Sequence, residues 1–164
     1  MIVSKSKLPK KSILSIAGYK SDYNDSYSFH VENNQITIRD LYLSIFAKAP
    51  KWVNFLMSLR NRIVGIFGIK TESKPFVKTT FEVGDKVGIF KIYNIQEHEI
   101  IAGEDDKHLS FRVSVYKSPN ATILVSTLVK YHNVFGRIYF FIVAPFHKLI
   151  VKNILKKSAK EINK

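Results

Sequence analysis

The sequence predicts one α+β domain in which an antiparallel sheet packs against a long C-terminal helix. Three observations carry that reading. Leu109, Phe111, Val113 and Val115 alternate with His108, Ser110, Arg112 and Ser114, the two-residue period of a strand. Residues 41–67 instead repeat apolar side chains at spacings of three and four, the period of helices. Past Gly136, the apolar residues Phe146, Leu149, Ile150, Ile154 and Leu155 are interleaved with lysines at 148, 152, 156 and 160, an amphipathic helix.

Residues 1–18 read as an N-terminal extension. Their apolar patch, Ile13 to Ala17, is too short for a signal-peptide core. Tyr27, Phe29 and Val31 alternate with polar neighbours as a half-buried strand, which Asn33-Asn34 breaks. Thr37 and Asp40 then form a variant capping box at the head of a helix over 37–48, stopped by Pro50. A second helix over 51–67 carries the stripe Trp52, Phe55, Leu56, Leu59, Ile63 and Phe67 and ends at Gly68. Trp52 is a candidate for stacking on a ligand, although an amphipathic core stripe is the stronger reading of it.

From Val87 the pattern is β. Strands are expected over 87–95, with Gly88 marking a bulge or close approach, over 99–102, over 109–115 and over 122–131. Gly103–Lys107 and Ser118-Pro119-Asn120 connect them at hairpin distances. A last helix over 138–160 follows, with Pro145 near its start and a mobile basic tail at 158–164. This order is the helix-grip plan: a curved antiparallel sheet wraps a long C-terminal helix, with two helices inserted after the first strand.

Composition narrows the function. A chain of 164 residues that is 46% hydrophobic and 13% aromatic can bury a core as a single domain over 1–164. The absence of cysteine excludes disulfides and thiolate chemistry. The net charge of +13 comes largely from lysines near the two ends rather than from arginine forks, so nucleic acid is not the expected partner. The longest apolar run, Ile138 to Phe146, is short of the roughly 20 residues of a membrane span. A soluble, cytoplasmic protein with at most a peripheral membrane contact is therefore expected.

The words LPKKSILSIAGYKSDYNDSYSF (8–29), PKWVNFLMSLRNRIVGIFGIK (50–70), GEDDKHLSFRVSV (103–115) and GRIYFFIVAPFHKLIVKNIL (136–155) resemble, in that order, the bacterial domain-of-unknown-function family numbered 2867. That family is placed with the START and birch-pollen-allergen superfamily. The resemblance implies a cavity between the sheet and the last helix that holds a small apolar or amphipathic molecule. Such sites are mostly apolar, with a few polar groups that orient the ligand. It implies no cofactor.

Within that frame His108, Arg112, Tyr139 and His147 are the candidate ligand-binding residues, with Trp52. Arg112 would hold an acidic group and His108 or His147 would supply a proton-transfer group, so a cyclase or isomerase is the alternative to simple binding. A basic surface that engages anionic lipid or nucleic acid is the other alternative. Asp105 and Asp106 are expected to shape the connection before the strand. Together with His108 they cannot close a coordination shell, and no metal is expected. Ser126 and Thr127 lack a nucleophile-elbow context, so no hydrolase is expected.

Overall fold

The structure is a computed structural model that describes residues 2–32, 35–46, 80–88 and 90–163. Seven strands form one sheet: β1 (Ser4–Lys5), β2 (Tyr23–His30), β3 (Lys86–Val87), β4 (Phe90–Ile95), β5 (Glu99–Asp105), β6 (Leu109–Lys117) and β7 (Thr122–Tyr131). Their order is β1-β2-β7-β6-β5-β4-β3 and every neighbouring pair is antiparallel. The helices are α1 (Ile13–Ile16), α2 (Ile38–Phe46) and α3 (Val134–Ile162). This is the helix-grip-like layout expected from the sequence. The second inserted helix, with Trp52, lies outside the described residues.

Both faces of the sheet are covered. On the inner face Tyr27, Phe29, Ile92, Ile100, Ala102, Val113, Val115, Ile123 and Val125 form a core with Leu41, Tyr42 and Ile45 of α2 and Leu155 and Ala159 of α3. On the outer face Ile101 and Leu128 pack under Leu14, with Leu8, Ile13, Tyr19 and Tyr93 around them. Residues 1–18 are thus part of the fold rather than an extension. Leu8, Ile13 and Leu14 cover an apolar patch of the sheet that would otherwise be exposed, and burying them stabilises the segment.

The start of α2 is as read: the Asp40 amide donates to Thr37 Oγ1 at 3.1 Å and the Thr37 hydroxyl donates to Asp40 at 2.6 Å. The hairpin between β5 and β6 is tighter than expected. Gly103 to Asp105 belong to β5, and only Asp106 to His108 turn the chain. Gly88 takes φ 68° at the turn between β3 and β4, a conformation that favours glycine. The bulge lies instead at Tyr93, where the β4–β5 register shifts between Ile92 and Asn94.

The largest difference concerns α3. It begins at Val134, because Asn133 caps it by accepting from the Gly136 amide at 3.0 Å. Pro145 therefore sits in the interior of the helix, with an exposed side chain. The helix also continues through the expected tail. Ser158 and Ala159 are buried, and Asn163 binds the Glu32 amide and the His30 carbonyl.

Candidate functional site

Strand β2 brings Tyr23 and Asp25 to the inner face, directly opposite Val129 and Thr127 of β7. Alternation makes this inevitable, since Tyr27 and Phe29 of the same strand enter the core. Asp25 is 6% exposed, a carboxylate on a face otherwise built of aromatic and branched side chains. The Tyr23 hydroxyl donates to its Oδ2 at 2.8 Å. His147 of α3 descends on the same atom, with Nε2 at 3.5 Å.

An aromatic box surrounds the pair. Phe140, two turns before His147, lies 4.7 Å from the Tyr23 ring and 5.8 Å from that of Tyr131; the His147 ring stands edge-on to Tyr23 at 6.3 Å. Burial first, and the Asp25 hydrogen bond second, push the Tyr23 phenol far above its ordinary range, so it remains a donor at any physiological pH. Among the described residues, three side-chain atoms are buried without a hydrogen-bond partner: Asp25 Oδ1 and His147 Nε2 here, and His108 Nε2 at the head of α3. Leaving such a group without a hydrogen bond costs about 1–3 kcal/mol, so Asp25 Oδ1 in particular has capacity for a further donor. The cluster can accept a hydrogen bond at Asp25 and offers an imidazole beside it.

Arg112 stands elsewhere. Its strand turns Phe111, Val113 and Val115 inward, so Arg112 points to the outer face with Ser110 and Ser114. There its guanidinium lies 3.7 Å from the centre of the Tyr93 ring and 5.8 Å from that of Tyr19. It donates to both Asp105 oxygens, at 2.8 and 3.0 Å, and the Tyr93 hydroxyl donates to Asp105 at 2.7 Å. The expectation that Arg112 lines the space between sheet and helix is corrected by this geometry. Asp105, read as a loop-shaping residue, is its fixed partner. Burial first, and the Asp105 hydrogen bond second, push the Tyr93 phenol up to about 12.

The Arg112 hydrogen bond is the main reason that the Asp105 carboxyl lies below its ordinary range. A carboxyl depressed in the fold adds stability that is present above its unfolded value of about 3.9 and is lost as pH falls through the folded value. Asp105→Asn should therefore flatten the decline of thermal stability between neutral pH and pH ~3. Because its side chain is 54% exposed, solvent screening holds the effect to about 1 kcal/mol or less. An unchanged acid slope in melting experiments would count against this assignment.

Comparison with family models decides what the chain is. Residues 19–154 match the model of DUF2867, proteins of unknown function. The chain belongs to the DUF2867 family. Comparison with curated proteins and with solved structures finds no match. The matched span of this DUF2867 chain contains Tyr23, Asp25, Phe140 and His147, whereas Ser12 and Leu14 on the outer face precede it.

The remaining candidates are dispersed in the DUF2867 fold. His108 precedes β6 and stacks on Phe135 at 4.6 Å; its Nδ1 accepts from the Asn133 amide at 3.1 Å. It supports the head of α3 and does not share a pocket wall with Arg112. Tyr139 is half-buried on α3. A cleft of about 560 Å³, lined by Thr37, Arg39, Glu97, His98 and Lys117 among others, lies at the far end of β6 from the head of α3. It is open and polar, and the Lys117 ammonium there already donates to the Ile36 carbonyl at 2.9 Å. We weigh the enclosed Asp25 cluster above it because burial is what gives a polar group its leverage on a ligand.

Of the site residues, His147 was legible from the sequence as a histidine inside an apolar helix. Asp25 was not. Its signal is a carboxylate two residues before Tyr27 in the alternation Tyr23, Asp25, Tyr27, Phe29, which places a charge on the apolar side of a strand.

Proposed function

We propose that the protein binds a small amphipathic molecule between the sheet and α3, with the molecule's polar end on Asp25, His147 and Tyr23. The observation that carries this reading is the buried contact of Asp25 with His147, in which neither Asp25 Oδ1 nor His147 Nε2 makes a hydrogen bond. A carboxylate oxygen only accepts, so the fitting polar end is a donor: a hydroxyl, an amine or an amide N–H. The apolar body would run along Phe140 and the inner face of the sheet. Membership of the START and birch-pollen-allergen superfamily, whose layout this fold shares, and a bacterial cytoplasmic setting are consistent with that reading and belong to the proposal.

The test is native mass spectrometry of protein purified from its own host, wild type beside Asp25→Asn. The wild type should carry a small molecule, and Asp25→Asn should lose it. Asparagine keeps an acceptor for the Tyr23 hydroxyl, so the melting temperature should at the same time change little, the signature of a group kept for binding rather than stability. The binding assignment would fail if Asp25→Asn retained the molecule, or if it lost stability without any change in bound mass.

A further inference from the structure

The 29 residues of α3 are long and apolar enough, by length and composition, to cross a membrane, yet only 11% of the most apolar stretch is buried. Its inner side is committed to the protein through Gly136, Phe140, Leu155, Ser158 and Ala159. What is left outward is unusual. Val134 is 72% exposed, Ile138 56%, Phe141 81% and Leu149 61%, with Ile142 and Phe146 also exposed between them. At 3.6 residues per turn these fall on one side of the helix, a row about 24 Å long from its 16 residues at 1.5 Å each. Isolated exposed apolar residues are ordinary, but a contiguous row of this kind marks a contact surface.

The second half of the same side says what the surface fits. Lys156 and Lys160 stand 18 residues after Ile138 and Ile142, five full turns, and so project in the same direction. Both are exposed. No acidic residue occurs between Val134 and Lys160. The outward side of α3 is therefore apolar for its first four turns and cationic for the rest, on a chain of net charge +13. A second copy of the chain would bring its own lysines to this surface and be repelled, whereas an anionic bilayer satisfies both halves at once.

We propose that this side of α3 docks in the plane of an anionic membrane surface, with Phe141 and its apolar neighbours in the interfacial region and Lys156 and Lys160 on the lipid headgroups. The helix stays on the sheet and does not span the bilayer. This docking is independent of any ligand at Asp25.

Flotation of the full chain with vesicles tests it, using phosphatidylcholine alone and an equimolar mixture with phosphatidylserine. Binding should appear on the anionic vesicles and fall as salt is raised. Phe141→Glu should weaken it at least about tenfold, and Lys156→Ala and Lys160→Ala by about fivefold each. Melting temperatures should not change, because all three side chains are exposed. Failure of the wild type to float overturns the proposal, as does equal binding to neutral vesicles. A dimer dissociated by Phe141→Glu, without flotation, would assign the surface to a second copy. A lower melting temperature in Phe141→Glu, without flotation, would assign it to the chain's own residues 47–79.

Discussion

Glu99→Ala is expected to destabilise the fold by about 3–5 kcal/mol, as a fall in the urea midpoint. Glu99 is 2% exposed on the outer face of β5. Its carboxylate accepts from the Ser12 hydroxyl at 2.6 Å, from the Ile13 amide at 2.7 Å and from the Ser114 hydroxyl. Ser12 and Ser114 are themselves fully buried. Truncation would take the acceptor from three donors, two of them buried hydroxyls and the third the first amide of α1. The damage should be concentrated where the carboxylate ties the N-terminal segment to the sheet. Limited proteolysis should therefore open the chain near residues 8–22 before the rest. A loss under ~1 kcal/mol, typical of a surface substitution, would mean that the carboxylate does not organise this face.

Gly136→Ala should cost about 2–3 kcal/mol and also disturb the Asp25 site some distance away. A Cβ at Gly136 would overlap the carbonyl oxygen of His108. That oxygen cannot step aside, because it belongs to backbone and already accepts from the His132 amide at 2.9 Å. Alanine is otherwise the better helix former, so a simple propensity argument predicts stabilisation of about 1 kcal/mol. The close approach reverses the sign. The first turn of α3 would have to lift from β6, and Phe140 and His147 ride on that helix. Thermal melting checks the stability, and the shift of the His147 ring signals in NMR spectra checks the coupling. Wild-type stability together with an unmoved His147 would remove the close contact from the account of the site.

Physical period explains why some of this was legible in the sequence. Phe111, Val113 and Val115 could be placed on one face of a strand because alternation is strictly local. The cap at Thr37 and the apolar spacing of Leu41, Ile45 and Phe46 were legible for the same reason, since both are settled within a few turns. The hairpin distances between β4, β5, β6 and β7 suited antiparallel pairing, and the apolar and lysine spacing past Gly136 placed the long helix last.

What alternation cannot say is what covers each face. Both faces of this sheet are covered, the inner by α2 and α3 and the outer by residues 8–19. Ser110, Arg112 and Ser114 therefore look like a pocket wall in the sequence and are in fact a polar layer closed by Glu99, Asp105 and Tyr93. Each of these pairings except Arg112 with Asp105 spans more than 10 residues, and no local pattern encodes it. The sequence by itself determined the elements, their antiparallel order and a histidine on the last helix. Only the tertiary structure decided that Arg112 belongs to the outer face and that Asp25, 122 residues before His147, is the group that histidine meets. Side-chain period is a property of neighbours, whereas a buried charge is identified by what the fold brings against it.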